Sequence, residues 1–358
     1  MKKILLFILV FFIFFFLSIL IFDYPKKFIS RLIFSHDLSL LTHSVFYNIN
    51  NEIEFDMTKK ENKKKSLLVL NNYVYDFFKE VPAWYGPDEK IFVAENKDDA
   101  KQQAKKYYGK DVALKRVSKN LDDGVSWKML HGSIKCDGVT DIFLRLAENT
   151  NTRVAMIYLF NNDNISPHTL SFVDLDNSIK DYSDSDLKKM YLFDPYFNFF
   201  PINKKFQFVN INYMLENKNE FSSYAKLDSD NIKLNLLQNN KTVFLRNRIY
   251  DEYSFISKLS LKFVKVLPTN FLKFIFKFGI FINPELDDDY KKLLYARLEH
   301  ILLNYDNAKV NYSKITNKNS YYVIAQYWYK RINSSQSVLK KYEDILSPLT
   351  NSTSPKNL

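Results

Sequence analysis

The chain has 358 residues, 46% of them hydrophobic, and a net charge of +11 from 51 Lys and Arg against 40 Asp and Glu. That length can bury one large core or two smaller ones. One cysteine excludes an internal disulfide and a cysteine-rich zinc site, and six glycines leave little scope for a phosphate-cradling loop.

The charge is carried mostly by Lys, with no dense Arg cluster and no nucleic-acid module signature. Its densest runs adjoin apolar sequence. Membrane lipid is therefore the expected partner rather than nucleic acid. No His-Glu-x-x-His pattern or dinucleotide fingerprint occurs, so neither a metal nor a cofactor is expected.

In chain order, residues 1–25 come first. Ile4 to Phe22 carry no charge and one Ser behind Lys2 and Lys3. At about 1.5 Å per residue that length matches a hydrocarbon core of roughly 30 Å. The segment reads as an uncleaved transmembrane anchor, since it has no small-residue cleavage site. The expected orientation is N-terminus cytoplasmic, with the domain on the outer side of the membrane. Residues 26–65 show no clean period and read as a juxtamembrane stretch. A domain over 66–250, an amphipathic and helical C-terminal region over 251–346 and a disordered tail over 347–358 complete the division.

Leu67 to Tyr85 has helix-like spacing, and Asp98 to Tyr108 places acids before lysines, which suits the helix dipole. In GSIKCDGVTDIFLRLAEN, residues 132–149, Val139, Ile142, Phe143, Leu146 and Ala147 form one helical apolar face. This puts Cys136 at the helix N-terminus, where unpaired N–H groups and the dipole favour a thiolate. Asp137 beside it opposes that. Strand-like runs follow at Arg153 to Phe160, His168 to Leu175 and Met190 to Phe200. One helix before three strands predicts an α+β fold, with a helix packed on an antiparallel sheet.

A helix opening on Cys-Asp-Gly, a strand opening on His and a strand bearing Phe-Asp-Pro together resemble the transglutaminase-like superfamily. The resemblance covers residues 120–200. It implies a transglutaminase-like core with Cys136 as nucleophile, His168 as base and Asp194 orienting the His. It also implies attack on a peptide or protein amide through a thioester, as a peptidase, amidase or acyltransferase. The His-to-Asp interval is longer than the family's, and its excess, NSIKDYSDSDLKKM, reads as a hairpin insertion. The backbone N–H of Cys136 would be one oxyanion donor, and Trp127, His131 or Gln103 could supply the second. The alternative is a catalytically inactive binding or assembly module. A structural protein with Cys136 simply buried would instead place His168 and Asp194 far from it.

Beyond the domain, residues 231–246 read as a hairpin turning near Asn239-Asn240. Phe255 to Ile282 carries Lys258, Lys262, Lys265, Lys273 and Lys277 on one helical stripe, broken by Pro268. That stripe suits a membrane interface or equally a solvated face over the protein's own core. Helices are expected from Asn283-Pro284-Glu285 onward, over Tyr321 to Ile332, and over Val338 to Leu346.

Overall fold

The structure is a computed structural model. It describes residues 21–118, 124–159, 168–176, 178–179, 184–203, 205, 207–217, 243–244, 249–250, 255–316 and 319–336. The N-terminal part runs through α1 (Asp23–Ile33), α2 (Leu40–Glu52), α3 (Lys63–Phe77), β1 (Ala83–Tyr85), β2 (Ile91–Val93), α4 (Lys97–Tyr108) and β3 (Lys115–Arg116). The central part holds α5 (Val125–His131), α6 (Cys136–Ala147), β4 (Val154–Leu159), β5 (His168–Val173), α7 (Asp184–Leu187), β6 (Tyr191–Phe193), α8 (Ile211–Glu216), β7 (Val243–Phe244) and β8 (Ile249–Tyr250). The C-terminal part is helical: α9 (Phe255–Val266), α10 (Thr269–Ile282), α11 (Asp288–Ile301), α12 (Tyr305–Ser313) and α13 (Ser320–Gln336).

The centre of the fold is α6 lying on an antiparallel sheet of order β6-β5-β4-β7, with β8 also pairing with β4. Register sets His168 opposite Leu159 and Ser171 opposite Phe193. α6 is amphipathic in the expected sense, but nearly all of it is buried, because α2, α3 and α5 cover the side turned from the sheet. β5 is buried along its whole length. Its Leu170 and Phe172 join Ala155, Leu192, Val209 and Met214 in a smaller cluster beyond the sheet. A second sheet, β2-β1-β3, stands with α4 over its own cluster of Trp84, Ala94 and Ala100. α4 is capped as its sequence demands: the Asn96 side chain accepts from the Asp98 and Asp99 N–H groups, and Gly109 closes the helix at φ 70°.

The expected N-terminal transmembrane helix is not supported. No described helix is long and apolar enough to cross a membrane. Residues 1–20 of the expected anchor lie outside the described residues. Where description begins, Phe22 is extended (φ −104°, ψ 138°) and α1 starts afresh at Asp23. This 11-residue helix holds Asp23, Lys26, Lys27 and Arg31, charges too many for a bilayer span.

Residues 26–65, read as a juxtamembrane stretch, contain α1 and α2 and contribute to the core. α2 buries Leu41, Val45, Phe46 and Ile49 completely, and α1 inserts Ile33 beside Phe34. One continuous apolar cluster links these residues to Ile142 and Phe143 of α6 and to Leu293, Leu298, Ile324 and Trp328 of the C-terminal helices. The C-terminal helices therefore share the core of the Cys136 helix.

Smaller differences have local causes. The expected hairpin insertion contains instead the short helix α7, with Asp186 pairing with Lys189 at 2.6 Å. The helix expected from Pro284 begins at Asp288, because Asp287 accepts from the Tyr290 N–H and acts as the cap. Most of the expected hairpin over 231–246, the helix Val338 to Leu346 and the tail 347–358 lie outside the described residues.

Candidate functional site

Cys136 is the first residue of α6, after Lys135 in extended conformation (φ −83°, ψ 178°). The approach to it is fixed from three directions. The Ser133 hydroxyl accepts from the Val81 N–H at 3.1 Å and donates to the Val117 carbonyl at 3.0 Å. Lys128 of α5 pairs with buried Asp141 of α6 at 2.8 Å. Gly132 ends α5 at φ 75°, and a Cβ there would meet Arg297 Nε at 2.5 Å and Trp328 Nε1 at 2.9 Å. Only glycine fits both that backbone and that space.

α6 packs on β5 so that the thiol meets the start of the strand. The Thr140 hydroxyl donates to the Thr169 carbonyl at 3.2 Å. The Thr169 backbone and side chain hydrogen-bond to the Cys136 sulfur. The residue before Thr169 is His168. Its Nε2 donates to Asp194 Oδ2 at 2.9 Å, and Asp194 is completely buried. The other carboxylate oxygen, Oδ1, accepts from the Phe197 N–H at 3.3 Å. Backbone bonds between Asp194 and Phe199 close the turn that Pro195 opens. The His168 ring packs against both Tyr196 (centroids 5.9 Å apart) and Phe197 (5.2 Å), which also touch each other (4.9 Å). All three residues proposed from the sequence thus stand at the junction of α6, β5 and the turn after β6.

The electrostatics differ from the simple helix-terminus expectation. Burial, the largest cause, pushes the Cys136 thiol up, and the Asp137 carboxylate pushes it further. The hydrogen bonds from Thr169 act the other way, favouring thiolate. The sum leaves the thiol above its ordinary value, so the resting group is the protonated form.

Four further residues belong to this site and escaped sequence reasoning: Thr169, Tyr196, Glu80 and Arg116. Tyr196 is close enough to Cys136 for the two charges to repel, and burial holds its phenol well above the usual range. Its hydroxyl donates to Glu80 Oε2 at 3.1 Å, where Arg116 Nε also pairs at 3.0 Å. Arg116 lies over the Trp84 ring, 4.8 Å from its centroid. The small sheet therefore reaches the thiol site through Glu80 and Tyr196. The signal for Tyr196 was present, since it lies two residues after Asp194. Glu80 and Arg116 carry no local pattern.

Two of the three candidates for a second oxyanion donor, His131 and Gln103, hold other hydrogen bonds. Trp127 packs on Phe34 with centroids 4.4 Å apart. His131 Nδ1 bonds the Tyr290 hydroxyl at 3.1 Å. Gln103 sits on α4 and bonds Val93 O and Asp99. Among the described residues, no group of three or more His, Cys, Asp or Glu could hold a metal ion.

No family model and no solved structure matches the chain. Short matches exist to valine–tRNA ligases. That of Pelagibacter ubique is 60% identical over 43 residues, which is 12% of this chain and 5% of that protein. Those of Fusobacterium nucleatum (55% over 42 residues) and Brucella melitensis (49% over 43 residues) cover the same shares. The chain thus spans about 5% of the length of the curated relatives it matches. A likeness confined to so small a part of both chains leaves the functional reading to the geometry around Cys136.

Proposed function

We propose that the chain is a cysteine-dependent hydrolase or acyltransferase of the transglutaminase-like kind, acting on a peptide or protein amide. The observation that carries this reading is the meeting of Cys136 with the His168 end of β5, while His168 Nε2 is engaged by buried Asp194. With Nε2 occupied, Nδ1 is the nitrogen that serves as base. It takes the Cys136 proton as the sulfur attacks the carbonyl carbon, and the Asp194 carboxylate supports the imidazolium that forms. The tetrahedral intermediate collapses when the C–N bond breaks and the imidazolium returns its proton to the leaving amine. A thioester remains on Cys136. Water attacks it to give an acid, or an amine attacks it to give a new amide, and the thiol is restored. A resting thiol above its ordinary value fits general-base transfer during attack better than a standing thiolate–imidazolium pair.

The test is acylation by p-nitrophenyl acetate, an activated ester that transfers acetyl to a nucleophilic thiol. Mass spectrometry should find one acetyl group on Cys136. Acylation at pH 7 should fall at least about tenfold in His168→Ala. Equal acylation in wild type and His168→Ala would overturn the reading.

A second reading is an inactive binding or assembly module. It is favoured by Asp137, whose charge opposes the thiolate directly beside the proposed nucleophile. Acylation no faster than that of the unfolded chain would support it.

A further inference from the structure

α9 is turned opposite to an ordinary surface helix. Its buried side consists of Ser257, Ser260 and Val264. Ser257 bonds the buried His43 ring at 3.2 Å, and the Ser260 hydroxyl donates to Ile256 O of its own helix. The outward side is Phe255, Ile256, Leu259, Phe263 and Val266, with Phe255 and Val266 each 82% exposed. The helix buries two serines and only one apolar residue, Val264, while five aromatic and aliphatic residues face outward, the reverse of what burial in water favours.

The neighbouring helices also expose apolar residues, although α10 buries Leu272, Phe276, Ile280 and Ile282 on its inner side. α10 exposes Phe271, Phe274 and Phe281. It lies against α1 at Gly279, where a Cβ would come within 3.0 Å of Phe34 and 3.1 Å of Ile33. α1 in turn exposes Tyr24, Phe28 and Leu32, spaced by four residues on one face. Outward apolar faces on three neighbouring helices exceed the scattered apolar exposure of a water-facing surface.

On α9 and α10 the charge has one sign, whereas α1 carries Asp23 beside its basic residues. Residues 255–284 contain five Lys and no Asp or Glu. Lys258, Lys262 and Lys265, spaced by four and three, form a stripe along one edge of the apolar side of α9. On α10, Lys273 and Lys277 are satisfied by Glu299 beneath them, Lys273 at 3.2 Å. We infer that α9, α10 and the outer face of α1 form a surface that lies in the interface of an anionic lipid bilayer. Their Phe and Leu side chains would enter the acyl boundary and the α9 lysines would meet lipid phosphates. The inference is independent of the chemistry at Cys136.

The single native cysteine makes a local test simple. The full chain carrying Cys136→Ser receives one new cysteine, Phe263→Cys or Phe274→Cys, labelled with a polarity-sensitive nitrobenzoxadiazole dye. A third variant, Tyr107→Cys on α4, serves as the reference position. Vesicles are phosphatidylcholine with about one third phosphatidylglycerol. Emission at 263 and 274 should brighten and shift to the blue, while that at 107 should not. Because each dye reports only its own surroundings, lipid contact elsewhere in the chain does not move the signal. Lys258→Glu with Lys262→Glu should weaken vesicle binding at least about tenfold. No response at 263 and 274, or an equal response at 107, would overturn the inference. A response that needs no lipid and grows with protein concentration would overturn it too, by assigning the face to a second copy of the chain.

Discussion

His168 Nε2 donates to Asp194 Oδ2 at 2.9 Å, and that carboxylate has no exposure to solvent. A buried acceptor of this kind fixes both the tautomer and the rotation of the ring. Asp194→Asn keeps the shape but presents an amide in place of the carboxylate. It should cut Cys136 acylation by about two orders of magnitude or more while the fold survives. Asp194→Ala leaves His168 Nε2 and the Phe197 N–H without this carboxylate and should also cost about 1–3 kcal/mol of stability. Acylation rates and urea denaturation of the two variants separate the effects.

The thiol should titrate above the ordinary cysteine value, because burial and Asp137 both favour its protonated form. The pH dependence of iodoacetamide alkylation measures this directly, since one cysteine gives one signal. Asp137→Asn removes the adjacent negative charge and should move the midpoint down. The folded chain holds this proton more tightly than the unfolded one. The thiol's share of stability is therefore complete below the ordinary value and is lost as pH rises past it.

His43 predicts an effect of opposite sign at acid pH. It is fully buried, bonded to Asn149 at 2.9 Å and to Ser257, and burial lowers its pKa to about 4. The unfolded chain takes the proton first. The stabilising share of neutral His43 is complete above about 6.5 and is lost as pH falls towards about 4, up to about 3 kcal/mol. His300, buried and also lowered, acts in the same direction, while Glu148, raised to about 7, acts against both. The difference between wild type and His43→Gln isolates the His43 share. The variant should lose less stability between pH 6.5 and 4 in urea melts.

Phe143 of α6 stacks on Phe193 of β6, with centroids 5.6 Å apart and both rings buried. Phe193 is the residue before Asp194. Phe143→Ala should cost about 3–5 kcal/mol and should also loosen the carboxylate from His168. Loss of stability without any change in Cys136 acylation of the remaining folded protein would show that the two are uncoupled.

The parts legible in the sequence were those with a face. α6 shows its helical period because one side meets the sheet, and Cys136, His168 and Asp194 open or close regular elements. α2 was illegible because Leu41 to Phe46 are all buried, so no polar side marks the turn of the helix. α3 hides its start for a related reason: Lys63 belongs to a Lys run that points to a membrane surface, yet it is buried and its Nζ donates to the Asp174 carbonyl at 3.0 Å. The outward Phe and Leu of α9 were visible as amphipathic, but the spacing cannot tell which side faces the core. Glu80 and Arg116 reach the thiol site through tertiary packing alone.

Gly132, four residues before Cys136, is held by residues from the far end of the chain. Trp328 Nε1 donates to its carbonyl, and the Arg297 side chain fills the space a Cβ would need. Arg297 also donates to the Phe77 carbonyl, across 220 residues of sequence. A chain emerging from the ribosome has synthesised the thiol, the imidazole and the carboxylate long before it reaches residue 328. Until then the segment leading into the thiol helix lacks its clamp. The Cys136 sulfur is thus set in place late in biosynthesis, and closing such distant contacts makes slow assembly the expected kinetic signature of this topology.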